Sequence, residues 1–288
     1  MTEHWARGDF YGLDIPADAA ALVTGGEEFL TQAFHASGVL SAANRISRMY
    51  GVKAFFGGGT GSKLVVSVAY KEPQADLPEQ LFVKFSRNFD EELRDSARFM
   101  MVSEVRFAKL SRCDNFPVTV PFCLFADIEA ESGTGLMITE HIAFGSDNTE
   151  ALYPKCMDYT VPDPLLYYKT ILQSLARLSG THKGGGLPAA FDEQFPFNRK
   201  QNTSAFTIRS SLEKLTNRAN RMFAFVRQYP QLFPENILTS AFQQQFLSDI
   251  PFVMAAEKQI KTLLCEGDDY IALCHWNANI DNCWFWRN

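Results

Sequence analysis

The chain has 288 residues, a formal net charge of −6 at pH 7, and 46% hydrophobic and 21% charged residues. This composition is ordinary for a soluble globular protein, and the length favours two modest domains or lobes. An acidic chain without a run of Lys and Arg lacks the basic field that nucleic-acid binding needs, which argues against nucleic acid as the main partner.

The first ten residues, MTEHWARGDF, contain no apolar core of a signal peptide, and no apolar stretch is long enough to span a bilayer. The six cysteines form no C-x-x-C pair, so a zinc site is not expected. We therefore expect a cytoplasmic protein with reduced thiols and no membrane association. The sequence does not specify the oligomeric state.

Residues 1–50 are predicted to form a leader with short helices at 27–34 and 42–49. Residues 51–144 then change character, because β-type runs punctuated by Gly and Pro predict an antiparallel, β-rich lobe. Its strands are expected in GVKAFF, SKLVVSVAY, LFVKFS, VTVPFCLFADIEA and GLMITEHI. One long helix is predicted over 90–111, where acidic residues suit the N-terminus and apolar residues follow at helical spacing.

Residues 145–288 are predicted to be mainly helical, with an apolar stripe near the helical period at 165–178. The helical pieces over 205–262 are expected to be interrupted at the prolines, namely Pro230, Pro234 and Pro251. The end of the chain, DDYIALCHWNANIDNCWFW, is predicted as strand, tight loop and strand. The expected fold class is α+β, with a β-rich first lobe that carries one long helix and a mainly helical second lobe.

A glycine run lies between two predicted strands in FFGGGTGSKLVVSVAY, where it permits positive φ and close approach of backbone N–H groups to an anion. It is not a Walker A loop, and a strand follows it where a dinucleotide fingerprint has a helix. A glycine hairpin over phosphates is typical of kinases; a plain hairpin turn is the alternative. The candidate nucleotide-binding residues here are Gly57, Gly58, Gly59, Thr60, Gly61 and Ser62.

Lys84 stands inside the apolar strand LFVKF, where a charge is costly unless it is paired. Glu104 is its candidate partner, because the other residues on that face of the predicted helix are apolar. A strand Lys held by a helix Glu after a glycine hairpin is the ion pair that places the α- and β-phosphates in kinases. In the alternative, Lys84 extends to solvent and Glu104 is solvated.

The segment ALCHWNANIDNCWFW resembles the catalytic loop H-G-D-x-x-x-x-N of aminoglycoside phosphotransferases and choline kinases. His275 matches the His, Trp276 the Gly, Asn277 the Asp, and Asn282 the metal-binding Asn. LARLSGTHKG resembles the helix end L-A-x-L-H-x of the same superfamily, and the order of the motifs also fits. The ecdysteroid kinase-like branch looks nearest. A buried His among Asn turns is the alternative.

The resemblance implies a protein kinase-like fold and an ATP-dependent phosphotransferase that phosphorylates a hydroxyl of a small molecule, with ATP and Mg²⁺ as cofactors. It makes Asn282 the metal ligand. It makes Asn277 and His275 candidate catalytic residues. Asp281, one residue before Asn282, is a third candidate that could hold a metal or orient the loop.

In this interpretation residues 51–144 form the nucleotide-binding lobe, and the strand GLMITEHI leads into a hinge. Adenine would bind there to the Glu140 carbonyl and the Ile142 amide. The helical stretch 180–265 would be the insertion that builds the acceptor pocket. Three of its aromatic residues are candidates for lining an apolar pocket, with core packing as the alternative: Phe223, Phe225 and Tyr229.

Two departures from the family pattern bear on activity. Asn277 replaces the expected base, and an amide accepts no proton at neutral pH, a loss that typically slows reactions about 10²–10⁴-fold. The family's metal-binding Asp is expected beyond residue 288, so we expect the chain to be part of a longer protein with an incomplete second lobe. Two alternatives to an active kinase stay open: a nucleotide-binding pseudokinase with a regulatory or scaffold role, and an α+β module that binds no nucleotide.

Overall fold

The computed structural model describes residues 4–56, 60–146, 148–204 and 208–286. The chain divides by its contacts into two compact units, one formed by Met1–Phe195 with Leu273–Asn288 and the other by Pro196–Ala272. The strands are β1 (Trp5–Arg7), β2 (Asp14–Pro16), β3 (Ile46–Ala54), β4 (Lys63–Tyr70), β5 (Gln80–Phe85), β6 (Cys123–Glu129) and β7 (Thr134–Glu140). The helices are α1 (Ala19–Ala36), α2 (Glu92–Ser96), α3 (Met101–Leu110), α4 (Pro164–Lys183), α5 (Ala190–Gln194), α6 (Arg199–Ser204), α7 (Leu212–Gln228), α8 (Glu235–Leu238) and α9 (Ser240–Glu266).

The first unit is built on a five-stranded antiparallel sheet in the order β3-β4-β5-β7-β6. Helices α2 and α3 are inserted between β5 and β6 along the chain. Strand β3 is an edge strand with mostly exposed residues, and its pairing with β4 shifts register twice. Strands β1 and β2 form a separate two-stranded ladder. The expected α+β class is confirmed.

The sheet is covered on both faces. Helix α1 packs Leu22, Phe29 and Phe34 into one core with the inward residues of the central strands. Helix α3 packs Met101 and Val105 into a second core with alternate residues of β6. This double coverage explains why the β6 sequence CLFADI reads as a continuous buried run.

A third cluster lies around α4, where Tyr167 and Ile171 pack with Val161 and with Ile280 from the end of the chain. The last stretch of the chain therefore returns to the first unit after the second unit has been completed. None of the helices in the described residues is both long and apolar enough to cross a bilayer.

The second unit consists of helices. Helix α7 buries Ala219, Phe223 and Val226, and the Phe223 ring meets the Phe246 ring of α9 edge-on, with 5.6 Å between ring centroids. Helix α9 runs through Pro251, where an interruption was predicted. A proline removes one backbone hydrogen bond, and the 27-residue helix continues on both sides of it.

Two helix predictions differ from the structure. A helix was predicted at 42–49, but Asn44 is buried and its side chain bonds both backbone groups of Glu72, so this segment turns and leads into β3. The helix predicted over 90–111 is broken after α2. There Asp95 accepts hydrogen bonds from Arg87, while the guanidinium of Arg98 reaches the Ser132 carbonyl.

The predicted strands around the loop near residue 277 are also wrong. Among the described residues, this stretch forms short helical turns and one isolated β-bridge between Thr149 and Trp286. Its apolar residues pack against α4 and the chain that follows β7 rather than pairing in a sheet. The domain boundaries predicted at residues 50 and 144 stay predictions; α1 and the beginning of β3 both precede the first of them.

Candidate functional site

Lys84 and Glu104 are brought together by the sheet and α3. In β5, Val83 and Phe85 face the core under α1, so the alternation of the strand turns Lys84 to the opposite face, which α3 covers. Glu104 lies in the first turn of α3, and the Lys84 Nζ donates a hydrogen bond to its Oε2. The carboxylate neutralises the buried ammonium and holds it in one place. The structure therefore differs from the alternative in which Lys84 extends to solvent and Glu104 is solvated.

The described part of the glycine loop packs against the end of the Lys84 strand. The Phe85 amide donates to the Ser62 carbonyl at 2.9 Å. Gly61 has φ +61°, and a Cβ added to it would lie 1.9 Å from the Phe85 carbonyl oxygen. Only glycine fits here without a backbone shift. Gly61 and Ser62 therefore lie against Phe85, the residue that follows Lys84. The predicted residues Gly57, Gly58 and Gly59 lie outside the described residues.

Lys63 is a residue of this region that sequence reasoning missed. It is the Cα partner of Lys84 in the β4–β5 pairing, and its Nζ donates to the Thr60 carbonyl at 2.8 Å. Burial, followed by the nearby charge of Lys84, lowers the pKa of Lys63 to about 8. The alternation of SKLVVSV carried a signal, because Leu64 and its apolar alternates face the core and leave Lys63 on the other face.

The end of β7 and the chain that follows it, predicted as an adenine-binding hinge, are held by hydrogen bonds to Phe122 and to Trp284. Glu140 accepts the Phe122 amide on Oε1 at 2.7 Å, and its carbonyl accepts the Thr139 hydroxyl at 2.9 Å. A carbonyl oxygen has two lone pairs, so the Glu140 carbonyl can take a further donor. The Ile142 carbonyl accepts the Trp284 indole N–H at 3.1 Å.

The segment that resembles a catalytic loop is anchored to α4 and to the chain after β7. The Leu273 amide donates to His182 Nδ1 at 3.2 Å, and the Ser179 hydroxyl donates to the Leu273 carbonyl at 2.9 Å. At the other end, Trp284 stacks on Phe144 with 5.3 Å between ring centroids. Since β7 pairs directly with β5, this segment is attached to the strand next to Lys84.

Inside this segment, amide groups close the loop on itself. The Asn277 carbonyl accepts the Asn282 side-chain amide at 2.9 Å, and Asn277 Oδ1 accepts the Asn279 side-chain amide at 2.8 Å. His275 Nδ1 accepts the Asn277 amide at 3.3 Å. His275, Asn277 and Asn282 are exposed, so the alternative of a buried histidine does not hold, and Asp281 is half-buried beside them.

A magnesium site is not formed by these side chains alone. Among the described residues, no group of three or more His, Cys, Asp or Glu side chains could hold a metal ion. Asn282, the predicted metal ligand, uses its amide nitrogen to close the loop, and its amide oxygen is left as a single potential metal ligand. Mg²⁺ prefers an octahedron of oxygen ligands that include carboxylates, water and substrate phosphates. Asn282 alone therefore supplies too few ligands for Mg²⁺, and the predicted binding of Mg²⁺, which would also need water and ATP phosphates, stays a prediction.

Of the aromatic residues predicted to line an acceptor pocket, Phe223 is 1% exposed and belongs to the α7–α9 packing. Phe225 is half-exposed and contacts Tyr229, with 4.8 Å between ring centroids. Core packing, the alternative, thus describes Phe223. Two surface cavities have other linings, one around Leu77 and Phe122 and one along the C-terminal part of α9, and neither includes a predicted site residue.

The structure thus joins Lys84, Glu104 and the described end of the glycine loop, and it fastens the Asn277 loop to the chain after β7. Comparison with models of protein families, with curated proteins and with solved structures finds no match for this chain.

Proposed function

We propose that this chain binds ATP through Lys84 and transfers the terminal phosphoryl group to a hydroxyl of a small molecule. The observation that carries the proposal is the contact between Lys84 on a sheet strand and Glu104 on an inserted helix, beside a glycine loop. In kinases a Lys held in this way contacts the α- and β-phosphates. Phosphoryl transfer needs mainly positioning and electrostatic stabilisation, which a fixed ammonium provides.

The topology of the first unit supports a protein kinase-like fold as part of this proposal. The glycine loop joins β3 to β4, the Lys is on β5, and the helix with the Glu enters before the β6–β7 hairpin. Kinases likewise have a glycine-rich loop over the phosphates, a Lys on the third strand of the sheet and a helix Glu that pairs with it. In chain order, β5 is the third strand of the five-stranded sheet here.

Within this proposal, the glycine loop covers the phosphates, and the Glu140 carbonyl and the Ile142 amide hold adenine. Asn277 orients the acceptor hydroxyl through its amide. Asn277 does not act as a general base toward this hydroxyl, because an amide accepts no proton at neutral pH.

A second candidate function is a pseudokinase that binds nucleotide and transfers no phosphoryl group, with a regulatory or scaffold role. The observation that favours it is the state of Asn277, whose side-chain oxygen and backbone carbonyl both accept hydrogen bonds within the loop. Such a loop offers no base at position 277, and the Asn277 side-chain oxygen already holds one hydrogen bond within the loop.

The proposal is tested by thermal unfolding of the 288-residue chain with ATP, with and without Mg²⁺. ATP at 100 times its Kd adds about 2.7 kcal/mol of apparent stability, which raises the melting temperature by several degrees. Lys84→Ala is expected to abolish this rise. Lys71→Ala, which removes an exposed lysine paired with Glu72, is the matched control and is expected to keep it.

Turnover of γ-labelled ATP then separates the two functions. Turnover in the wild type that disappears in Lys84→Ala supports the phosphotransferase, and binding without turnover supports the pseudokinase. If ATP leaves the melting curve of the wild type unchanged, both proposals fall, and the α+β module that binds no nucleotide is favoured.

A further inference from the structure

Two lysines share one face of the sheet beside the glycine loop. Lys63 and Lys84 are direct partners in the antiparallel β4–β5 pairing, and directly opposed residues project from the same face. Like charges in this arrangement repel each other. Glu104 binds the Lys84 ammonium, and its charge also favours the ammonium form of Lys63.

The charged groups that act on Lys63 come from three elements. Lys84 of β5 and Arg94 of α2 both disfavour its ammonium, and Glu104 of α3 favours it. Arg94 itself pairs with Glu91 at 2.9 Å. Around Lys63 the local balance is thus positive, in a place where burial already opposes a charge. An anion bound between the two ammoniums would remove this imbalance.

We propose that Lys63 is a second phosphate-binding residue, and that Lys63 and Lys84 together hold two successive phosphates of an oligophosphate chain. The inference rests on the proposed nucleotide site, and it makes that site selective for a nucleoside di- or triphosphate over a nucleoside or its monophosphate. An ammonium has three donors, so the bond of Lys63 to the Thr60 carbonyl leaves two for a phosphate. Lys63 would thereby link the glycine loop to the ligand.

A purely structural role, in which Lys63 only ties the loop to β4, gives different results. Loss of such a tie lowers stability without changing the preference for phosphate chains. In a purely structural role, ligand affinity also does not depend on the protonation of Lys63. The two roles are therefore separated by the choice of ligand and by a pH profile.

The experiment measures the binding of inorganic tripolyphosphate, ATP and adenosine to the 288-residue chain by titration calorimetry at pH 7. Lys63→Met is expected to weaken tripolyphosphate and ATP about tenfold or more, as for the loss of one charge-assisted hydrogen bond, and to leave adenosine unchanged. Lys71→Met, which removes a lysine just beyond the other end of β4, is the control and is expected to change none of the three affinities.

The pH profile is the second readout. Because the pKa of Lys63 is about 8 in the free protein and a bound phosphate favours the ammonium, wild-type affinity for ATP is expected to fall as pH rises from 7 to 9.5. Lys63→Met is expected to lose this component. Lys63→Arg, which stays charged throughout, is expected to keep the affinity without the fall. This variant and the wild-type profile also test the proposal if Lys63→Met does not fold.

Equal affinity of the wild type and Lys63→Met for tripolyphosphate overturns the inference. So does a wild type that binds no tripolyphosphate, or an equal affinity for ATP and adenosine. If the wild type binds tripolyphosphate through Lys63 but ATP no more tightly than tripolyphosphate, the lysine pair stands and the proposed nucleotide function fails. If ATP binding depends on Lys84 and not on Lys63, the proposed function stands and this inference fails.

Discussion

The two partners of the Lys84–Glu104 pair are exposed to very different extents. The Lys84 side chain is 11% exposed and that of Glu104 is 41% exposed. Removal of the carboxylate leaves a buried ammonium without its partner, whereas removal of the ammonium leaves a carboxylate that water can reach. The pair is therefore asymmetric, and mutation of its two halves has different consequences for stability.

We predict that Glu104→Ala lowers the free energy of unfolding by about 2 kcal/mol and Lys84→Met by less than about 1 kcal/mol. Urea unfolding monitored by circular dichroism measures both. The control is Glu72→Ala, whose carboxylate pairs with Lys71 at the surface, with an expected change within about 0.5 kcal/mol. Equal losses for Glu104→Ala and Lys84→Met would contradict the asymmetry.

Asp127 is a second buried ionisable group, and it connects the N-terminal segment to the sheet. It is fully buried in β6 and accepts backbone N–H groups from Phe10, Tyr11 and Ile128 at 2.8–3.0 Å. Burial raises the pKa of Asp127, although these N–H groups and Lys109 favour its charged form. The folded chain therefore holds this proton more tightly than the unfolded chain does. The contribution of the carboxyl to stability is fully present in acid and falls as pH rises above its ordinary value of 3.8.

We predict that Asp127→Asn destabilises the chain by about 1–3 kcal/mol, because an amide N–H then faces the Tyr11 N–H. The advantage of the wild type over this variant is expected to be larger at pH 4 than at pH 7. Denaturant midpoints at both values measure it, with exposed Asp76→Asn as the control. An advantage that grows between pH 4 and pH 7 would refute the assigned direction of the pKa shift.

At the scale of elements, the end of β5 and the glycine loop meet at a contact that permits no side chain. We predict that Gly61→Ala destabilises the chain by at least about 1 kcal/mol more than Gly38→Ala. Both glycines have positive φ, but a Cβ at Gly38 meets open space and a Cβ at Gly61 meets the Phe85 carbonyl. Thermal unfolding of the two variants isolates the close approach. Similar melting temperatures would show that the loop can move away from β5.

The elements that the sequence predicted well are those whose signal is local. The strands β4, β5 and β7 were found because short apolar runs stand between Gly and Pro. The break between α2 and α3 was missed because it depends on Arg87 and Ser132, which approach from elsewhere in the sheet. Register is equally non-local, so the opposition of Lys63 to Lys84 was not foreseen although Lys84 itself was.

For the whole molecule, sequence reasoning predicted the α+β class and the pairing of Lys84 with Glu104, because an unpaired charge inside an apolar strand is too costly. It did not predict that the second unit would be Pro196–Ala272, with the chain returning to the first unit afterwards. That return depends on side chains such as Ile280, which pack against a helix about a hundred residues earlier.

The interrupted pairing of β3 has a consequence for solubility. Its regular pairing with β4 is broken on both sides of residues 48–50, so the longest unbroken run there is three residues. A foreign strand that docks edge-to-edge needs a straight backbone, and strands usually pair over about five or six residues. The bulges, with Arg48 and Lys53 beside them, thus protect this rim of the sheet against the intermolecular β-pairing that begins aggregation.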